Sequence, residues 1–206
     1  ELLDDFLNRH NLPHKPIIGL LPGSRRQEIK GLLPMMLRLK SHFPQYQFLI
    51  SAAPGINTDY YEQFMDKDQN NALIHGDTYQ MVKHADACVV ASGTAALETA
   101  LIGTPQVAVY KVGGGIFAHA IGRLVIKVKW ATLVNLIMQK EIIKELLQKD
   151  FTFSKLKKEL TAILPNGAKR AQLLKHYQEL YTKMGNTGAS ARAAESMVKR
   201  LKEDLK

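Results

Sequence analysis

The chain has one cysteine, Cys88, among 206 residues. A single thiol builds no disulfide framework, which points to a reducing compartment such as the cytoplasm. No apolar run approaches the ~20 residues that span a bilayer, and no signal-peptide pattern opens the chain at Glu1. Aromatic residues are 7% of the chain, with a single tryptophan. No aromatic RNP-type pattern and no long basic block accompanies them, which argues against a nucleic-acid partner. Neither GxGxxG nor GxxxxGK[ST] occurs, so neither a dinucleotide site nor a P-loop is indicated. Metal-ligand spacings are missing as well, and no metal or cofactor is expected. There is no internal repeat.

What is present is an ordinary globular composition, 46% apolar and 23% charged, in a chain long enough for one well-buried domain. The net charge of +9 is unevenly placed. Residues 1–110 carry 9 Lys+Arg against 11 Asp+Glu, a balance of −2, and residues 111–206 carry 19 against 8, or +11. A basic half fits an anionic partner, such as phospholipid or a phosphorylated ligand, or simply solvated helix faces.

Apolar runs alternate with helical periodicity through the first half. Strands are expected at Ile17–Leu21, Tyr46–Ser51, Ala72–His75, Asp86–Ala91 and Pro105–Tyr110. Helices are expected at Glu28–His42, kinked or restarted by Pro34, and at Thr58–Met65, Thr78–His84 and Ala95–Ile102. Val/Ile/Leu/Ala strands alternating with helices predict a doubly wound α/β fold with a parallel sheet. Beyond Tyr110 come a Gly113-Gly114-Gly115 joint and an amphipathic basic stretch from Ile116 to Lys129. Further helices are then expected at Glu141–Gln148, Phe153–Ile163, Ala168–Lys183 and Ser190–Leu205. The sheet core should occupy about residues 15–140 and the C-terminal helices about 141–206.

Two Gly-centred turns, about seventy positions apart, follow expected strands: Leu21-Pro22-Gly23-Ser24-Arg25 and Ala91-Ser92-Gly93-Thr94. A strand, a Gly turn and a helix together present free N–H groups and a positive dipole end to an anion. Gly23, Ser24 and Arg25 on one side, and Ser92, Gly93 and Thr94 on the other, are therefore candidate holders of a diphosphate. The Arg25 fork suits a phosphate better than a lysine would. Glu28 is expected to cap the helix that follows, and Thr94 is a preferred N-cap residue. Glu98, four positions past Thr94, suits the hydroxyls of a sugar or ribose. Tyr110, at a strand end, either stacks on a base or packs in the core. Asn135, polar in the apolar stretch Leu133-Val134-Asn135-Leu136-Ile137, is either structural or ligand-facing. His119 reads as a surface residue.

These segments, in this order, resemble lipid-A-disaccharide synthases. The likeness is carried by Leu21-Pro22-Gly23-Ser24-Arg25-Arg26-Gln27-Glu28-Ile29, by Ala91-Ser92-Gly93-Thr94-Ala95-Ala96-Leu97-Glu98, by Asn135-Leu136-Ile137 leading to Glu145-Leu146-Leu147-Gln148, and by Gly188-Ala189-Ser190-Ala191-Arg192-Ala193-Ala194. The resemblance implies the C-terminal, UDP-binding Rossmann-like half of a GT-B glycosyltransferase, with the N-terminal acceptor domain absent from this chain. It implies an inverting transfer of 2,3-diacylglucosamine from UDP-2,3-diacylglucosamine to 2,3-diacylglucosamine 1-phosphate, giving lipid A disaccharide 1-phosphate and UDP. Arg25 would then bind the donor diphosphate, Ser92 to Thr94 would line its pocket, Glu98 would hold the ribose and Asn135 would be an active-site polar group. The chain departs from the family pattern at Val134, where a proline often precedes the asparagine, and at Gln139-Lys140, where Gly-Arg is usual.

In that light the basic stretch, with Phe117, Ile121, Leu124 and Val125 near one helical face and Arg123, Lys127 and Lys129 beside it, either lies on an anionic membrane surface or packs on the core. The expected location is cytoplasmic, peripheral to the inner face of the bacterial inner membrane. The last helix is expected to cross to the missing domain, or to drive a homodimer if left exposed. Rival readings are a peptidoglycan N-acetylglucosaminyltransferase, a UDP-N-acetylglucosamine 2-epimerase and a non-catalytic nucleotide-binding interaction domain.

Overall fold

Five consecutive buried residues, Ile17-Ile18-Gly19-Leu20-Leu21, form strand β1. A strand apolar on both faces needs a neighbour on each edge and helices above and below. In the computed structural model, which describes residues 1–65, 71–111, 129–185 and 188–204, β1 pairs in parallel with β2 (Gln47–Ala52) on one edge and β4 (Ala87–Ala91) on the other. Strands β3 (Asn71–His75), β5 (Gln106–Tyr110) and β6 (Lys144–Leu147) complete a six-stranded parallel sheet of order β3-β2-β1-β4-β5-β6. The doubly wound α/β fold expected from the alternating runs is the one observed.

Among the described residues, the helices between the strands are α1 (Leu3–Arg9, before β1), α2 (Arg26–Leu37), α3 (Thr58–Glu62), α4 (Thr78–His84), α5 (Thr94–Ile102) and α6 (Leu133–Met138). After the sheet come α7 (Phe153–Ile163), α8 (Arg170–Met184) and α9 (Ala189–Asp204). One core joins the layers, with Ile18, Leu20, Phe48, Val89 and Val107 from the sheet against Phe6, Ile29, Met36, Leu160 and Leu180 from the helices. Cys88 is buried within it, and burial pushes its thiol up to about 12.

Helix α2 runs through Pro34 as far as Leu37 and then tightens into a 3-10 turn, Arg38–His42. The joint at 113–115, the basic stretch over 116–128 and Asn186-Thr187 lie outside the described residues.

The helix expected over Glu141–Gln148 is instead strand β6. Ile142, Ile143 and Leu146 have helix-compatible spacing, but β5 offers an open edge, and Val107 to Tyr110 pair with Lys144 to Leu147 in parallel register. The sheet therefore extends past residue 140, and the C-terminal helical layer begins at Phe153.

Candidate functional site

From β1 the chain winds outward through β2 and β3, then returns to the middle of the sheet and winds the other way through β4, β5 and β6. The direction reverses between β1 and β4, so the loops leaving their carboxyl ends part and leave a crevice. Those loops are the two Gly turns, brought together from about seventy positions apart. They wall a cleft of ≈ 580 Å³, a normal size for a small-molecule site, which Gly23, Ser24, Arg25, Ser92, Gly93, Thr94 and Glu98 all line.

In the first turn Gly23 adopts φ +103°, a left-handed conformation that favours glycine. Oε2 of Glu28 accepts the Ser24 N–H at 3.0 Å and Oε1 accepts from Nη1 of Arg25 at 3.0 Å, so Glu28 closes the turn ahead of α2 rather than capping the helix as expected, and no side chain caps α2. Arg25 occupies the N-cap position of α2, and its side chain is 78% exposed. The Arg26 guanidinium lies over the Tyr60 ring, whose hydroxyl donates to the Arg26 carbonyl, so Arg26 braces the turn from outside.

The second turn is built differently. The N-cap position of α5 belongs to Gly93, not Thr94, and no side chain caps it. The first N–H groups of the helix are therefore left to an incoming acceptor. Gly93 is extended, φ 167°, and a Cβ added there would meet nothing within 4 Å. The surrounding protein thus does not demand this glycine. Ser92 donates its N–H to Val109 O at 2.9 Å and its hydroxyl to Ala131 O at 3.2 Å. Glu98, one turn into α5, is exposed on the cleft wall.

Two predicted residues fall elsewhere. Tyr110 is half-buried at the end of β5 and is not part of the cleft lining. Its phenol is raised by burial first and by the Glu28 charge next, with Arg25 opposing.

Asn135 is fully buried, and its amide is saturated. Nδ2 donates to Ile143 O at 2.9 Å and to Oε1 of Glu145 at 2.8 Å, while Oδ1 accepts from the N–H groups of Ile142 and Ile143 at 2.8 and 3.1 Å. Both donors and both acceptors of an asparagine are used, so this side chain has no group to offer a substrate. The active-site role implied by the resemblance gives way here to a structural one. Glu145, whose carboxylate also takes the Ala131 and Thr132 N–H groups and the Thr132 hydroxyl, ties β6 to the start of α6. Through Ala131 the same knot reaches the Ser92 hydroxyl, so it braces the second turn.

The cleft also contains residues that sequence reasoning passed over. Ser51 and Ala52 end β2, Ala53 and Pro54 follow it, and Thr78 and Tyr79 open α4. The Ser51 and Thr78 hydroxyls lie 2.6 Å apart. Tyr79 is 61% exposed and shares with Glu98, Leu101 and Ile102 an apolar recess beside the cleft. In sequence, His75-Gly76-Asp77-Thr78 has the same strand, turn and helix order as the two Gly turns. Among the described residues no cluster of His, Cys, Asp and Glu could hold a metal ion, and no helix is long and apolar enough to cross a membrane.

Chemically, the cleft can hold a diphosphate between two helix N-termini and an arginine, with a carboxylate for hydroxyl groups to one side. The chain is similar to structures built the same way. The calicheamicin glycosyltransferase CalG4 superposes with a TM-score of 0.61 at 12% identity, over 96% of this chain and 46% of that one. The C-terminal CMP-Kdo binding domain of WaaA from Acinetobacter baumannii superposes at 0.51 and 8% identity, over 89% of this chain and 96% of that one. At such identities the likeness is one of fold. In sequence, the lipid-A-disaccharide synthase of Myxococcus xanthus is 37% identical over 90% of this chain and 49% of its own length. The chain spans about half the length of the curated relatives it matches. The family model for lipid-A-disaccharide synthetase matches residues 5–200, and the chain belongs to that family.

Proposed function

We propose that this chain is the nucleotide-sugar-binding half of a glycosyltransferase that moves 2,3-diacylglucosamine from its UDP derivative to 2,3-diacylglucosamine 1-phosphate. The observation that carries the reading is the meeting of Arg25, Gly93 and Glu98 in one cleft at the switch point of the sheet. The donor diphosphate lies between the two Gly turns, with Arg25 and the N-termini of α2 and α5 directed at its oxygens. Glu98 accepts bonds from the ribose hydroxyls. Tyr79, which shares a recess with Glu98, is the surface for the base. In the transfer, an acceptor hydroxyl attacks the anomeric carbon, the bond from that carbon to the phosphate oxygen breaks, and its electron pair leaves on UDP. Negative charge grows on the departing diphosphate, where Arg25 and the helix ends stabilise it. The acceptor domain and the base that takes the hydroxyl proton belong to the half that precedes this chain in the whole enzyme. Acylated substrates and a half carrying +11 favour work at an anionic membrane surface on the cytoplasmic side.

Calorimetric titration of the 206-residue chain with UDP, with ADP and inorganic phosphate as controls, tests this. UDP should bind in preference to both. Arg25→Ala and Glu98→Ala should each weaken it about 10- to 100-fold, as loss of a hydrogen bond to a charged group implies. The chain alone should not form disaccharide. Equal affinity for UDP and ADP, or UDP binding indifferent to both substitutions, defeats the assignment.

A further inference from the structure

Glu28 has no part in the donor reading above, yet it occupies the section of the first turn that an anion needs. Its carboxylate packs where Gly23 has no side chain: an added Cβ would stand 2.3 Å from Oε2 and 2.9 Å from the Glu28 Cβ. There it accepts both the Ser24 N–H and the Arg25 guanidinium, each at 3.0 Å. A backbone N–H in a Gly turn and an arginine fork are the groups with which proteins hold phosphate. Here a side-chain carboxylate already holds both.

The attachment is readily undone. Arg25 and Glu28 are three positions apart, and their side chains are 78% and 28% exposed. Ion pairs this open contribute little and are screened by salt. A diphosphate carries more charge and more acceptor oxygens than one carboxylate, so it displaces Glu28. A phosphate monoester or orthophosphate carries less and meets the same carboxylate.

We infer that Glu28 is a resident anion that competes with the diphosphate for the Ser24 N–H and Arg25, and so excludes ligands of lower charge from the cleft. It returns to these partners as the product diphosphate leaves. The identity of the ligand rests on the donor reading; the competition rests on the geometry alone.

The test is calorimetry of the 206-residue chain and its Glu28→Gln variant with UDP, inorganic pyrophosphate and inorganic phosphate, at low and high salt. Glutamine keeps the length and an acceptor oxygen for the Ser24 N–H while removing the charge. The variant should bind pyrophosphate and UDP about tenfold tighter, the size of a close like-charge repulsion at a partly solvated site. The gain should shrink at high salt, and inorganic phosphate should become a ligand. A purely structural Glu28 moves all three the other way, because the turn loosens. Unchanged or weaker pyrophosphate binding by a variant of wild-type thermal stability overturns the inference. Tighter pyrophosphate binding without any uridine preference leaves the competition standing and defeats the donor reading instead. Should the variant not fold, carbon-detected NMR of the unaltered chain decides: the Glu28 carboxylate and Ser24 amide signals must both shift as pyrophosphate saturates, and a silent Glu28 carboxylate overturns the proposal.

Discussion

Replacing Asn135 with alanine separates two roles for one residue. The side chain makes four hydrogen bonds within 3.1 Å, to the Ile143 carbonyl, to Glu145 and to the Ile142 and Ile143 N–H groups. All lie in buried surroundings. Each such bond nets about 1 kcal/mol, and each buried group left unpaired costs about 1–3 kcal/mol. Some relaxation around the shorter side chain brings the expected loss to about 3–5 kcal/mol. For a chain of this size that is a fall in Tm of about 10 °C. Thermal melts followed by circular dichroism measure it, and UDP titration well below the midpoint measures the site. Stability should drop while UDP affinity of the folded protein stays near wild type. Glu145→Ala should cost a similar amount, and the double variant less than the sum, because the two residues share one network. A variant that melts within about 2 °C of wild type but no longer binds UDP would refute the structural role and restore Asn135 to the active site.

Alanine in either Gly turn should weaken UDP binding, but only one of the two should cost stability. Gly23→Ala forces a side chain into a φ of +103° and onto Glu28, so it should cost about 1–3 kcal/mol and abolish UDP binding. Gly93→Ala meets no protein atom, so melts should match wild type within about 0.5 kcal/mol while UDP affinity falls at least about tenfold; undisturbed affinity removes Gly93 from the diphosphate subsite. Acid should loosen the docking of α1. Burial alone would raise the Asp77 carboxyl, but bonds from His10 and Arg9 outweigh it and hold it below its ordinary value. Its contribution is therefore complete above the unfolded carboxylate value, about pH 4, and lost as pH falls through the lower folded value. Urea titrations down to about pH 2 should show an acid limb that Asp77→Asn flattens; an unchanged limb assigns acid sensitivity to other groups.

Met197, Val198 and Leu201 form an exposed apolar stripe on α9. The sequence predicts an apolar face on this last helix, and the structure leaves it exposed.

Much of the site was legible because its signals are local. An apolar run ending in Pro22-Gly23 or Ser92-Gly93 and followed by helical spacing is a strand, turn and helix whatever surrounds it, and an anion can use such a turn wherever it lies. Arg25 and Glu98 lie next to those turns in sequence and line the same cleft. Tyr79 gives no such local signal, because its turn has neither an arginine nor a Ser-Gly-Thr string.

What the sequence by itself determined, then, was the alternation of buried strands and helices, and with it a doubly wound sheet bearing two anion-ready turns. Only the tertiary structure decided that the strands order as β3-β2-β1-β4-β5-β6, which sets the turns side by side. The same holds for Glu141 to Gln148. Their spacing suits a helix, but a free edge on β5 and four donors waiting for Glu145 make the strand the better bonded state. Asn135, structural or ligand-facing as far as its sequence goes, is a fastener for the same reason. Periodicity reports which face of a segment avoids water, while the partner of a buried polar group comes from segments that only folding brings near.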